Sequence, residues 1–198
     1  GQAAPAQLRA RRESLGRLLS STGDFVTALQ RARLPHELGG ALPLALRIGR
    51  YYAEAAELAE RTAEARAGLA PLGADLDPQV RAFEGDVLAL LEVAGVEVEG
   101  ASREATTAAL ERAERRYAEL KNALLQAGSE GKVPVDVLVA QLDRLSDVRR
   151  LAQQAARGAA SLWKLGDLAA GEAGAGNAAD GGDEAHAADA SDASAGRR

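Results

Sequence analysis

Cysteine is missing from this 198-residue chain. That excludes a disulfide framework, a thiolate metal site and a cysteine nucleophile. Methionine is missing too, even at position 1, so Gly1 reads as a cut end rather than a natural N-terminus. Aromatic residues make up 3% of the chain, too few to build stacking platforms for single-stranded nucleic acid. β-Branched and aromatic clusters are rare, so strand signals are scarce. No run of about eighteen apolar residues occurs, so nothing in the sequence spans a bilayer. Arg9-Ala10-Arg11-Arg12 is not followed by the apolar stretch that a signal peptide needs. The two histidines, His36 beside Pro35 and His186 near the end, have no metal-binding or catalytic context around them. No Gly-rich phosphate loop is present, because Gly171 to Gly182 lacks the flanking strand and the lysine. Ser20-Ser21-Thr22 lacks an elbow motif and reads as cap or turn residues.

What remains is abundant alanine with leucine at helical spacing. Hydrophobic residues account for 46% of the chain. Alanine has the best helix propensity and lets helix backbones approach closely. Gln7 to Arg33 reads as one helix, with Thr22-Gly23-Asp24 as the place where a kink would fall. Leu34-Pro35-His36 breaks it. A second helix begins near Glu37 or Ala41, tolerates Pro43 in its first turn, and runs to about Leu69. Its stripe is Ile48, Tyr51, Ala55, Leu58, Thr62, Ala65 and Leu69. A third follows Asp77, taken as the N-cap, with Pro78 at the first helical position, and ends near Ala94. Gly95 to Gly100 alternates like a strand but has no partner, so it reads as a linker or a helix end. Ser102 caps a fourth helix that lasts to Ala127, with Ala109, Ala113, Tyr117, Leu120 and Leu124 on one face. Gly128 to Gly131 is a turn, and Pro134 opens the fifth helix, lined from Leu138 to Leu162.

The expected architecture is therefore all-α, an antiparallel bundle of about five helices over residues 5–165. Residues 166–198 are expected to be a disordered acidic tail rich in Ala and Gly. That tail holds seven acids and two bases of the chain's 29 and 24, which leaves 22 of each in the body. Its apolar surface is too small to offset an ordering cost of about 1–2 kcal/mol per residue. A neutral body offers no basic stripe, so no nucleic-acid partner is expected.

Two segments ninety-seven positions apart are weak copies of each other: Leu46-Arg47-Ile48-Gly49-Arg50-Tyr51 and Asp143-Arg144-Leu145-Ser146-Asp147-Val148. Each precedes an Ala-rich amphipathic run. At these segments the chain resembles the PhoU family, whose members carry a Glu-Arg-Ile-Gly-Asp helix motif, with an Asn one turn later, in each of two three-helix repeats. Arg47, Ile48 and Gly49 match the first motif; Asp143, Arg144, Leu145 and Asp147 match the second. The likeness is closer to the PhoU-like C-terminal region of bacterial Na+/phosphate cotransporters. It is carried by Arg47 to Tyr52, Glu57-Leu58-Ala59, Tyr117 to Leu125, Gly131 to Pro134 and Leu145 to Arg150, and it covers roughly Leu15 to Leu162.

The resemblance implies a cytoplasmic regulatory domain of a sodium-dependent phosphate transporter, non-enzymatic and acting by protein–protein contact. It would lie on the cytoplasmic face of the bacterial inner membrane. The implied partners are the membrane-spanning transporter part, on the same chain, and a phosphate-signalling protein; a homo-oligomer stays open. The alternative is a free-standing PhoU-type metal-binding regulator of phosphate uptake or signalling. A metalloenzyme of the bundle type ranks last, since no Glu-x-x-His is present.

Asp143 and Asp147 stand four apart on one helix face, a spacing that suits a divalent or trivalent cation. The matching third donor position is Leu151, which removes a ligand. The competing reading is a solvated pair, with Arg144 and Arg150 as ion-pair partners of Asp147. In the first segment the acid positions correspond to Leu46 and Arg50, so that site is lost. Arg47 and Arg50 are candidates to meet an anionic group or a partner, or to pair along the helix with Glu54 or Glu57.

Overall fold

A computed structural model describes residues 3–31, 38–66, 68–95 and 101–180. Five helices follow one another: α1 (Ala3–Arg31), α2 (Leu38–Arg66), α3 (Asp77–Val93), α4 (Arg103–Ser129) and α5 (Val135–Asp180). Among the described residues there is no strand. The break at Leu34-Pro35-His36, the alternating Val96 to Gly100 segment, and residues 181–198 with His186 lie outside the described residues.

The helices are laid side by side with alternating direction. α3 packs on α4, α4 on α5, α5 on α2 and α2 on α1, while α3 also touches α5. The antiparallel sense is visible in the ion pairs. Glu54 and Arg61 of α2 meet Arg150 and Asp147 of α5, in reverse order. Arg9 of α1 reaches Glu60 of α2, while Leu19 of α1 lies against Gly49. The α3, α4 and α5 helices thus form a three-helix unit, α2 lies along α5, and α1 is outermost.

The core follows the 3.6-residue periodicity. Ala109, Ala113, Tyr117, Leu120 and Leu124 of α4 are all buried, as their spacing predicts. Leu145, Val148, Leu151, Ala155 and Ala159 of α5 are buried as well. Leu145, Val148 and Leu151 close against Phe83, Val87 and Leu90 of α3 and Leu58 of α2. The Phe83 and Tyr117 rings stand 5.8 Å apart at 51°, within the tilted geometry that aromatic quadrupoles favour. Phe83 is wholly buried in this core.

The helix ends bear out some signals and displace others. Ser102 is extended and its Oγ accepts from Ala105 N at 3.0 Å, as an N-cap should. The end of α4 is a Schellman turn. Gly131 has φ 69°, Lys132 N donates to Ala127 O, and Gly131 N donates to Gly128 O. At α3 the capping residue is Leu76, one position before Asp77, and it offers no side-chain acceptor. The Asp77 carboxylate instead accepts from Leu72 N at 3.0 Å, holding the loop before the helix rather than the helix itself.

Three further differences matter. No break occurs at Thr22-Gly23-Asp24, and α1 is one continuous helix; Thr22 and Thr27 turn their hydroxyls onto Leu18 O and Gly23 O, which keeps them within the helical pattern. Leu18, placed on the α1 stripe by its spacing, is exposed, because among the described residues α1 has a neighbour on one side only. Finally, α5 runs past Gly166, where the unordered tail was expected to begin, as far as Asp180. Alanine-rich sequence prolongs a helix already nucleated by the packed turns before it.

Candidate functional site: the α2–α5 seam

The two segments that resemble each other in sequence lie on the two helices that share the longest interface. Small residues make this possible. Ala152, Ala155, Ala156 and Ala159 of α5 are buried, and Gly158 lies under the Tyr52 ring. A β-carbon at Gly158 would come within 3.0 Å of that ring, so only glycine lets Tyr52 sit there undisturbed. Burial against this surface raises the Tyr52 phenol above its ordinary value of 10.0.

Along the rim of the seam the charges pair across helices rather than along them. Arg150 binds Glu54 at 3.0 Å and Arg61 binds Asp147 at 2.7 Å. Arg50, Ala53, Glu54, Glu57, Arg61 and Arg150 border a groove of about 340 Å³. Arg47 and Arg50 project from α2 and make no ion pair among the described residues. The helix-internal pairing of Arg50 with Glu54 is not formed, because Arg150 has taken that carboxylate. Two guanidinium forks are therefore left on the surface of α2, suited to a carboxylate or phosphate group.

The second segment is rearranged relative to its expected pairs. Neither Arg144 nor Arg150 neutralises Asp147. Arg144 is buried and pairs with Glu84 of α3. Arg149 reaches Glu114 of α4 at 2.7 Å and lies 4.9 Å above the Tyr117 ring, close enough for a cation–π contact. Asp143 is exposed and has no ion pair among the described residues.

This donor set does not fit a metal cluster. Asp147 is engaged by a guanidinium, and the third position is the apolar, buried Leu151. No group of three or more His, Cys, Asp or Glu comes together among the described residues. Two carboxylates, one of them neutralised, fall short of the coordination a hard cation demands.

Sequence reasoning missed Gln141, Arg144 and Glu84 as a buried polar set. A signal existed: Gln141 falls between Leu138 and Leu145 at spacings of three and four, a polar residue on the apolar stripe. It also missed Glu60, buried on α2 and held by Arg9 and Arg12 of α1, each at 3.0 Å.

No family model matches this chain, and neither a curated protein nor a solved structure matches it. No helix among the described residues is long and apolar enough to cross a membrane.

Proposed function

We propose that this chain is a non-catalytic interaction module, and more finely that it is the PhoU-like regulatory region of a sodium-dependent phosphate transporter, working at the cytoplasmic face of the membrane. The single observation that carries the interaction reading is the position of α1. Among the described residues it packs on α2 alone, and it leaves Leu18 65% and Phe25 60% exposed. Large apolar side chains that far out on one helix face favour a surface that a partner covers. The unpaired Arg47 and Arg50 on α2 add anion-complementary groups. In support of the finer reading, the two motif-bearing helices are antiparallel neighbours, as two copies of one duplicated unit would be.

Two experiments separate the levels. The coding sequence immediately upstream of Gly1 is expected to hold several apolar spans; a free-standing open reading frame would overturn the transporter reading alone. Photo-crosslinking residues placed at Leu18 and Phe25 in cells should capture a protein partner, whereas the same residue at exposed Arg115 of α4 should not. Equal capture at all three positions would remove the basis for an α1 contact surface.

A further inference from the structure

The rim of the α2–α5 seam changes character along its length. Arg150 pairs with Glu54, and further on Arg61 pairs with Asp147. In the other direction the acids run out. Arg47 stands seven residues before Glu54 on α2, and Arg157 stands seven after Arg150 on α5. Seven residues are close to two turns, so each keeps to the helix face of the paired residue. The helices are antiparallel, so both steps lead towards the same end of the seam. Arg47 and Arg157 are thus set level with each other, like charge beside like charge, where two turns away an acid faces a base. Gly158 under the Tyr52 ring holds the two helices in that register. Both arginines are exposed, and neither has an ion pair among the described residues.

The positive excess extends along the rim. Arg50 lies one turn from Arg47, and Lys164 two turns beyond Arg157; both are exposed. Five cations, Arg47, Arg50, Arg150, Arg157 and Lys164, share this stretch with two carboxylates, Glu54 and Glu57. Asp167, the next acid along α5, is taken by Arg103 of α4. From Arg150 to Lys164 the stripe runs about 21 Å, further than one phosphate or carboxylate group can bridge. Apolar side chains stand at its edges. Leu46, one turn from Arg50, is 37% exposed, and Leu168, one turn past Lys164, is 39% exposed. Bases beside exposed leucines make a face suited to a membrane interface, where the bases meet anionic headgroups and the leucines enter the acyl boundary. A small anion would leave the leucines bare and most of the cations unmatched. A lipid surface covers both.

We propose that this rim docks on an anionic lipid bilayer. The inference rests on the membrane-face reading for its setting, and it assigns which side of the bundle meets the lipid. Each basic residue within a Debye length of the surface strengthens such binding about fivefold.

Vesicle flotation of the whole chain tests this. Saturable binding is expected to vesicles of phosphatidylcholine with about one-third phosphatidylglycerol, with none to phosphatidylcholine alone. Binding should vanish near 1 M salt, where the Debye length falls to about 3 Å. Arg47→Gln with Arg157→Gln should weaken binding roughly 25-fold without lowering the melting temperature, since two unpaired like charges are removed. Arg81→Gln with Arg115→Gln, exposed on α3 and α4, should leave binding unchanged. Equal binding to both vesicle types, equal loss in the two double variants, or no binding to either vesicle would overturn the proposal. So would displacement by soluble glycerol phosphate at the concentration of the lipid headgroups, which would mean a small-anion site, or binding to polyglutamate but not to vesicles, which would mean an acidic protein partner. Only the chain and lipid are present, so a negative result here leaves the α1 crosslinking test and the upstream-sequence test standing.

Discussion

Removing either partner of the Arg144–Glu84 pair should have very unequal consequences. The Arg144 side chain is 6% exposed and that of Glu84 is 18%. Glu84→Gln keeps shape and volume but strands a buried guanidinium whose Nε already lacks an acceptor. Arg66, the other partner of Glu84, is itself a cation and cannot neutralise it. Breaking a buried pair in this way costs about 3–5 kcal/mol. Arg144→Met removes the buried charge together with its orphaned donor and fills the space with a flexible apolar chain. Glu84 then keeps Arg66, at 3.7 Å and on an exposed stem, so its loss is closer to that of a surface pair, about 1 kcal/mol or less.

For a chain of this size 1 kcal/mol corresponds to about 2–4 °C in melting temperature. Glu84→Gln should therefore lower the midpoint by roughly 6 °C or more, and Arg144→Met by at most about 4 °C. The double substitution should be more stable than Glu84→Gln alone, since the stranded charge is gone. Thermal and urea unfolding followed by circular dichroism would measure all three. A cost for Arg144→Met equal to or above that of Glu84→Gln would refute the reasoning, because it would mean that the arginine is stabilised by something other than this carboxylate.

Leu58 is buried among α3 and α5 residues, and Leu58→Ala should cost about 2–5 kcal/mol in urea unfolding; a cost under 1 kcal/mol would mean that α2 is not anchored there. At Gly49 a β-carbon would fall 2.0 Å from Leu19 Cδ2, so Gly49→Val should loosen α1 alone, seen as faster amide exchange in α1 with α3–α5 unaffected, and Leu19→Ala in the same chain should restore protection. Burial raises the Tyr52 phenol, so the folded state holds its proton more tightly than the unfolded one. The resulting stability is complete below pH about 10 and is lost as pH rises through the higher folded value. Tyr52→Phe should accordingly flatten the alkaline fall in stability, and parallel curves for the two proteins would contradict this.

Helix existence was legible because alanine and leucine recur at threes and fours, a signal that survives without knowing the neighbours. The α4 face is the clearest case, with every residue of its stripe buried. What sequence could not supply were the choices decided across the bundle. Asp77 has the chemistry of a cap, but the Leu72 amide competes for its carboxylate and wins. Arg144 is three positions from Asp147, within easy reach along the helix, yet it turns inward to Glu84, sixty residues away in the chain. Leu18 fits the periodicity of α1, yet a helix with one neighbour buries only one face. For the candidate site, the sequence located the two helices of the seam and the outward arginines. It did not locate the ion pairs that cross the seam, because the two partners of each lie on different helices.

The pairing pattern also explains why this fold tolerates so few aromatic residues. A seam between helices built from alanine buries little area per residue, so dispersion and hydrophobic gain per turn are modest. Cross-helix ion pairs lie along its edges at each interface: Arg9 and Arg12 with Glu60, Arg61 with Asp147, Arg149 with Glu114, and Arg112 and Arg116 with Asp86. Most are half-exposed and individually worth little. Their collective effect is on register, since sliding a helix by one turn would break the pairs that join it to its neighbour. Alanine permits several near-equivalent alignments of two helices, and these charges select one. The exception is the buried Arg144, whose pairing is incomplete.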